Sequence, residues 1–148
     1  MKILVFGLPG SGKTTFVDNL TKVWQQSPGE VNHLTWLNAD EVRKEYRDWD
    51  FSPVGRKRQA DRMRRLADEA VAWGHVVIAD FVCPTQDLRA SFGADVTVFM
   101  DTIESGRFDD TNKVFDRNTE VPYNYTITSW DQTGEVIEQI LHKLSAVG

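Results

Sequence analysis

The strongest constraint on the fold of this chain is an apolar stretch at residues 2–6, KILVF, that runs directly into the motif GLPGSGKT at residues 7–14. An apolar strand followed by G-x-x-x-x-G-K-T is typical of a loop that binds phosphate groups. Glycines let the backbone direct a row of N–H groups at phosphate oxygens, and the following helix turns its positive end toward the same oxygens. We therefore expect a phosphate ligand to be held by Gly7, Pro9, Gly10, Ser11, Gly12, Lys13, Thr14 and Thr15.

Two side chains at the end of this motif have separate tasks. Lys13 is placed to reach the outer phosphates of the ligand, and we expect it to take part in catalysis. The hydroxyl of Thr14 is suited to hold a magnesium ion. The alternative is a glycine-rich turn that binds nothing, but the four fixed positions arise by chance in only about one chain in 200 of this length.

Short apolar stretches alternate with helical patterns along the rest of the chain. Strands are predicted at residues 34–37, 76–79, 96–100 and 123–128, and helices at 13–24, 41–48, 54–73 and 131–145. Such alternation favours a parallel sheet covered by helices on both faces. We predict an α/β, three-layer P-loop NTPase fold with a five-stranded parallel sheet in the order 2-3-1-4-5.

The composition favours one compact domain over residues 1–148, because no linker or repeat divides the chain. A formal net charge of −5 argues against binding to long duplex nucleic acid. Cys83 is the single cysteine, which excludes a disulfide framework and favours a reducing, cytoplasmic setting. Because the motif starts at residue 7, we expect no targeting segment before it, and no apolar run has the length of a membrane span.

Carboxylates follow three of the predicted strands, at Asp40, Asp80 and Asp101. Ligands of open α/β sheets bind at the carboxyl ends of the strands, so these residues are expected near the phosphate loop. Asp80 ends an apolar strand, as does the carboxylate that holds magnesium in phosphate-loop enzymes, so we predict a metal site at Thr14 and Asp80. For Asp101 we favour a helix cap, and for Asp40 the interpretation depends on the neighbouring residues.

Those neighbours resemble the adenylylsulfate kinases. Residues 38–43, NADEVR, are similar to the D-G-D-x-V-R segment of that family, and residues 76–84, VVIADFVCP, resemble its V-I-x-A-F-I-S-P strand and turn. A third stretch, similar to the family's F-S…D-R-x-E-N-x-x-R, contains Phe51, Ser52, Arg56, Gln59 and Arg62. With the phosphate loop, the resemblance covers residues 1 to about 89 in the family's order and spacing. The chain departs from that pattern at Asn38, which replaces the first aspartate, and at Cys83, which replaces a serine and is expected to be a small buried turn residue.

The resemblance implies an ATP-dependent phosphotransferase. It would move the γ-phosphate of ATP, bound with Mg²⁺, onto a hydroxyl of a small anionic nucleotide-like acceptor, with the 3′-hydroxyl of adenylylsulfate as the best candidate. In that family the carboxylate matching Asp40 lies beside the acceptor hydroxyl as a base or orienting group. A homodimer is a further expectation. The expected acceptor contacts are Asp40, Arg43, Phe51, Arg56, Gln59, Phe81 and Lys113.

A polar segment around residues 104–122 stands where the family has a lysine-rich lid, and we expect it to be part helix, part loop and mobile. Arg107 is expected to act in catalysis by covering the transferred phosphate as the lid closes, with Lys113 beside it. Asn112 is expected to approach the base of the bound nucleotide. The alternative interpretation, that Arg107, Asn112 and Lys113 are polar residues of an exposed loop, fits the sequence equally well.

Other interpretations stay open for the site and for the function. The cations between residues 56 and 65 fit a solvated helix face, and Phe51 fits a core residue beneath its turn. Within the kinases, the alternative acceptors are another nucleotide, a polynucleotide 5′-hydroxyl or a modified base. Outside them, the alternative is a nucleotide-binding module that hydrolyses ATP slowly without an acceptor.

Overall fold

The computed structural model describes residues 1–26, 33–117 and 123–147, with side chains described up to residue 145. No helix among these residues has the length and apolar character needed to cross a membrane. In chain order the elements are β1 (Lys2–Phe6), α1 (Lys13–Gln26), β2 (Leu34–Asn38), α2 (Ala39–Tyr46), α3 (Pro53–Ala72), β3 (Val76–Asp80), α4 (Gln86–Phe92), β4 (Val96–Met100), α5 (Asp109–Val114), β5 (Tyr125–Ile127), a short 3₁₀ turn (Trp130–Gln132) and α6 (Thr133–Val147).

The five strands form one parallel sheet in the order β2-β3-β1-β4-β5, which confirms the predicted fold class and strand order. Asp80 at the end of β3 is paired with Val5 of β1 on one side and with Asn38 of β2 on the other. The carboxyl ends of these three strands therefore meet at one edge of the sheet, where the phosphate loop leaves β1.

Alternating side chains of the strands build two apolar layers. In β1, Ile3 and Val5 point to one face and Leu4 and Phe6 to the other, and all four are fully buried. Burying one such side chain contributes about 2 kcal/mol relative to exposure, so the pattern fixes which face each helix must cover. The helices cover the first face through Phe16, Leu20, Ile137 and Ile140 of α1 and α6, and the second through Met63, Ala67 and Phe92 of α3 and α4.

Several element boundaries differ from the prediction. Helix α4 was not predicted; the Thr85 hydroxyl accepts from the Leu88 amide over 3.3 Å and caps its start. Helix α2 begins at Ala39, two residues before the predicted start, because the Asn38 side chain caps it. Strand β5 has only three residues, and α6 begins at Thr133 after the 3₁₀ turn. A single capping side chain can thus shift the start of a helix by one or two residues without any change in the apolar pattern of the sequence.

The prediction that Asp101 caps a helix is wrong. No helix follows it before Asp109 in the described chain, and its carboxylate instead accepts from Nη1 of Arg117. Arg117 also donates to the carbonyls of Ile103 and Glu104, which closes the loop 101–117 at its base. Asp101 therefore pairs with Arg117, which lies 16 positions away in the sequence, and does not cap a helix.

Candidate active site at the carboxyl edge of the sheet

The phosphate loop has the backbone conformation that its glycines predict. Gly12 has φ of +96°, and a Cβ there would lie 3.0 Å from the indole of Trp130, so a side chain at this position is both strained and crowded. A Cβ on Gly7 would lie 2.6 Å from the carbonyl oxygen of Met100 on β4. The loop is closed by a 3.1 Å hydrogen bond from the Ser11 amide to the Leu8 carbonyl. The motif therefore forms a compact turn in which neither Gly7 nor Gly12 leaves space for a larger side chain.

Lys13 turns back over this loop. Its ammonium donates to the carbonyls of Gly7 and Leu8, each over 3.0 Å. Burial lowers the pKa of Lys13, while the nearby carboxylates of Asp80 and Asp40 raise it. The ammonium is therefore held at the centre of the loop, within electrostatic range of both acidic residues predicted for the site.

Asp80 is the centre of a hydrogen-bonded cluster beside the loop. It is 2% exposed, and its Oδ2 accepts from the Thr14 hydroxyl over 3.1 Å and from Nδ2 of Asn38 over 3.0 Å. Burial raises the pKa of Asp80, and the Lys13 charge and these hydrogen bonds lower it. The structure thus brings Asp80 together with Lys13 and Thr14, which lie far from it in the sequence, because β1 and β3 are neighbours in the sheet.

The oxygens of Thr14 and Asp80 suit a magnesium ion. Mg²⁺ prefers hard oxygen ligands and is usually held by one or two protein groups together with substrate phosphates and waters. A carboxylate and a hydroxyl with oxygens 3.1 Å apart, next to a phosphate loop, match that donor set. No group of three or more histidines, cysteines or acidic residues lies close enough to cage a metal within the described part of the chain.

Asp40 lies on the first turn of α2 with an exposed side chain. The Asn38 cap sets the direction of this helix, and Asp40 is near enough to Lys13 to raise the pKa of that lysine. A carboxylate there faces solvent next to the phosphate loop, as a group that receives an acceptor hydroxyl must.

Two predicted acceptor contacts, Arg43 and Gln59, are already used in part by hydrogen bonds within the protein. Arg43 is 5% exposed and donates to the carbonyls of Asp48 and Asp50 over 3.0 and 3.2 Å. Gln59 donates to the carbonyl of Ala39 over 3.1 Å and accepts from Arg62 over 2.8 Å. These side chains brace the connection between α2 and α3, and direct contact with an acceptor stays a prediction.

Phe51 and Arg56 form the outer part of the same region. Phe51 is 51% exposed, so the interpretation of this residue as part of the core is wrong. The guanidinium of Arg43 lies 4.3 Å from the centre of its ring and that of Arg56 lies 5.6 Å away. Trp49, at 55% exposure, is the other open aromatic of this turn. An exposed ring flanked by arginines offers a stacking surface with positive charge beside it.

The structure corrects the prediction for Phe81. Its ring is 5% exposed and packs edge-on against Phe92, with ring centres 5.8 Å apart. It therefore belongs to the apolar layer under α4 and offers no surface to an acceptor. Cys83, in the turn that follows, is 1% exposed, as expected for a buried turn residue.

The predicted lid contains helix α5, while residues 118–122, with Pro122, lie outside the described residues. The Asn112 side chain is directed at the segment's own backbone, because it accepts from the Gly106 amide over 2.7 Å and donates to the Gly106 carbonyl over 2.8 Å. A Cβ on Gly106 would lie 3.1 Å from the Pro9 carbonyl, so the segment rests on the phosphate loop. Arg107 and Lys113 are exposed.

Sequence reasoning missed Arg89, which is 8% exposed and connects α4 to the end of the lid. It donates to the carbonyls of Cys83 and Pro84 over 2.8 and 3.1 Å and to the Tyr123 hydroxyl over 3.0 Å. Its guanidinium also lies 4.2 Å from the ring centre of Phe6. A single arginine in an otherwise unremarkable stretch carries no sequence signal of such burial.

Comparisons with known proteins agree with this architecture. The protein APE1195 has 20% identity and a TM-score of 0.79, with 99% of this chain and 96% of that chain covered. The Mycobacterium tuberculosis APS kinase, in complex with AMPPNP and APS, has 20% identity and a TM-score of 0.71, with 97% and 96% covered. Shikimate kinase from Aquifex aeolicus has 19% identity and a TM-score of 0.59, with 99% and 97% covered. At these identities the structures show a shared fold.

A comparison with curated protein sequences gives no significant match. The family model described as adenylylsulphate kinase, in contrast, matches residues 1–107, which include the phosphate loop, Asp40, Asp80 and the start of the lid. The chain therefore belongs to the adenylylsulphate kinase family of P-loop kinases.

Proposed function

We propose that this protein transfers the γ-phosphate of ATP to a hydroxyl of a small anionic nucleotide-like acceptor, with the 3′-hydroxyl of adenylylsulfate as the leading candidate. The observation that carries the proposal is the position of Asp40. It lies exposed on the first turn of α2, and the Asn38 side chain that caps this helix also donates to the Thr14 hydroxyl at the end of the phosphate loop over 3.4 Å. A donor phosphate in the loop and an acceptor hydroxyl at Asp40 would thus be neighbours.

The residues of the loop would do most of the work on the donor. Transfer of a phosphoryl group passes through a loose transition state, so positioning and charge stabilisation supply most of the catalysis. The amides of residues 7–15 hold the phosphates, and Lys13 leaves its two loop carbonyls for the outer phosphate oxygens. Thr14 and Asp80 would hold Mg²⁺, which neutralises charge on those oxygens when it is bound.

On the acceptor side, Asp40 orients the hydroxyl and takes its proton late in the transfer. The open face of Phe51 stacks on the base, and Arg56 binds the anionic group next to it. The lid brings Arg107 and Lys113 from their exposed positions onto the transferred phosphate. The Mycobacterium tuberculosis relative, with AMPPNP and APS bound to the same fold, supports this pairing of donor and acceptor.

A transfer assay tests the proposal. The protein is incubated with ATP labelled in the γ-position and magnesium, with adenylylsulfate, with a nucleoside monophosphate or with a 5′-hydroxyl oligonucleotide, and the labelled products are separated. We expect a doubly phosphorylated product that depends on adenylylsulfate and is absent with Lys13→Ala. Transfer to another hydroxyl alone would replace the proposed acceptor, and release of phosphate that no acceptor stimulates would favour a nucleotide-hydrolysing module.

A further inference from the structure

Asn38 contacts both sides of the site through a single side chain. Its Oδ1 accepts from the Glu41 amide over 3.1 Å and caps α2, the helix that carries Asp40. Its Nδ2 donates to Oδ2 of Asp80 over 3.0 Å and to the Thr14 hydroxyl over 3.4 Å. Residues from β2, β3 and the start of α1 are therefore joined at one amide group.

The chemistry of these contacts requires an amide. The amide of Glu41 is a donor and can be capped only by an acceptor, whereas the carboxylate of Asp80 is an acceptor and needs a donor. An asparagine side chain supplies one of each, and reversing it would lose both hydrogen bonds. Serine at this position would keep the cap but is too short to reach Asp80. Aspartate, the residue of the family pattern, has no N–H to donate.

We infer that Asn38 is a positioning residue that aligns Asp80 and Thr14 for the magnesium–nucleotide complex while it fixes the start of the helix that carries Asp40. The inference rests on the proposed function, since it concerns the donor half of that site. The cap and the alignment are separate tasks of two different atoms, Oδ1 and Nδ2, so a substitution can remove the alignment and keep the cap.

Three variants separate the two tasks. Asn38→Ser keeps a capping oxygen and loses the donor, Asn38→Ala loses both, and Thr85→Ala removes the equivalent cap of α4, another helix of the same apolar layer. Binding of a non-hydrolysable ATP analogue is measured by calorimetry, once with Mg²⁺ and once with EDTA, and thermal unfolding is followed without nucleotide.

We expect both Asn38 variants to bind the magnesium form of the analogue at least about tenfold more weakly, with affinity in EDTA within about twofold of the parent protein. Only Asn38→Ala and Thr85→Ala should lower the unfolding temperature clearly. An Asn38→Ser variant that keeps the full magnesium-dependent affinity, or that weakens both forms equally, would overturn the inference. If the parent protein shows this magnesium response and transfers phosphate to no acceptor, the proposed function fails and the role of Asn38 stands; if it binds no nucleotide, both fail.

Discussion

Arg56, in the first turn of α3, donates from Nη2 to the hydroxyl of Thr111 in the lid helix α5 over 3.1 Å. The same guanidinium donates from Nε to the carbonyl of Phe51 over 2.8 Å. One side chain thus connects the exposed ring of Phe51, in the proposed acceptor region, to helix α5 of the predicted lid. An anionic acceptor that binds Arg56 would compete with Thr111 and so change how firmly the lid is held.

Thr111→Val should loosen the lid helix. Thr111 is 6% exposed, so valine fits its space and removes only the hydroxyl that accepts from Arg56. Loss of one such hydrogen bond costs about 1 kcal/mol, which corresponds to roughly fivefold faster hydrogen exchange in residues 106–114 if these amides exchange by opening of the lid. Thr111→Ser keeps the hydroxyl and is the matched control. Equal exchange rates in the two variants would show that the contact does not hold the lid.

Lys13→Ala should abolish transfer without unfolding the protein. The Lys13 ammonium contacts only two loop carbonyls in the described structure, so its loss leaves the core intact. We expect transfer to fall by about 10²–10³-fold or more, because a charge directed at the transferred phosphate is lost. Lys22→Ala, on the outer face of the same helix and paired with Asp18, should retain full activity. The check is the rate of product formation together with the unfolding temperature of each variant.

Asp40→Asn should separate nucleotide binding from transfer. The substitution keeps the shape of an exposed side chain and removes the charge that we propose receives the proton of the acceptor. We expect affinity for ATP to change by less than about threefold and the rate of transfer to fall by about 10²–10⁴-fold. Glu41→Gln removes the adjacent carboxylate and serves as the control. A variant at Asp40 that transfers phosphate at the parent rate would exclude this residue as the base.

The stability of the α2–α3 connection should depend on pH through Asp48. Its carboxylate accepts from Arg58 over 2.7 and 3.1 Å and from Arg62 over 3.0 Å, which holds the pKa of Asp48 well below its usual range. A pKa that is lower in the folded chain stabilises it above the unfolded value of about 3.9, and this contribution is lost as the pH falls toward the folded value. Asp48→Asn should therefore lower the unfolding temperature at pH 7.

The difference between Asp48→Asn and the parent protein should shrink below about pH 4, because Asp48 of the unfolded parent chain then takes up a proton, which reduces the stabilisation that the charge gives the folded chain. Thermal unfolding between pH 2.5 and 7 measures this. Asp61→Asn is the control, since Asp61 forms an exposed pair with Lys57 over 3.7 Å and should have little effect at any pH. A pH-independent difference for Asp48→Asn would mean that the carboxylate contributes through the number of hydrogen bonds it accepts and not through its charge.

Arg89→Lys should destabilise the fold although it preserves the charge. A lysine lacks the planar fork that serves two carbonyls and a hydroxyl at once and cannot stack on Phe6 in the same way. We expect a loss of about 2 kcal/mol or more in the free energy of unfolding, because buried polar atoms lose their partners. Arg65→Lys on the exposed face of α3 should be close to neutral. Denaturant unfolding of both variants provides the comparison.

Local pattern was enough to predict much of this protein. The apolar run before GLPGSGKT, the alternation of strands and helices and the acidic strand ends predicted the parallel sheet, the phosphate loop and the closeness of Asp80 to Thr14. These features depend on side-chain periodicity and on the parallel topology, which places the carboxyl ends of neighbouring strands side by side. Residues that are neighbours in the chain form each of these patterns, and the parallel topology then brings the strand ends together.

Contacts between distant residues decided the rest. Three features depend on partners that folding brings together. They are the exposure of Phe51, the burial of Phe81 in the core and the ion pair between Arg117 and Asp101. Arg89 and Asn38 show the same limit: each satisfies groups on elements that only the packed sheet brings within about 3 Å. A hydrogen bond requires particular atoms at a particular distance, and a one-dimensional pattern specifies residue types without specifying that distance.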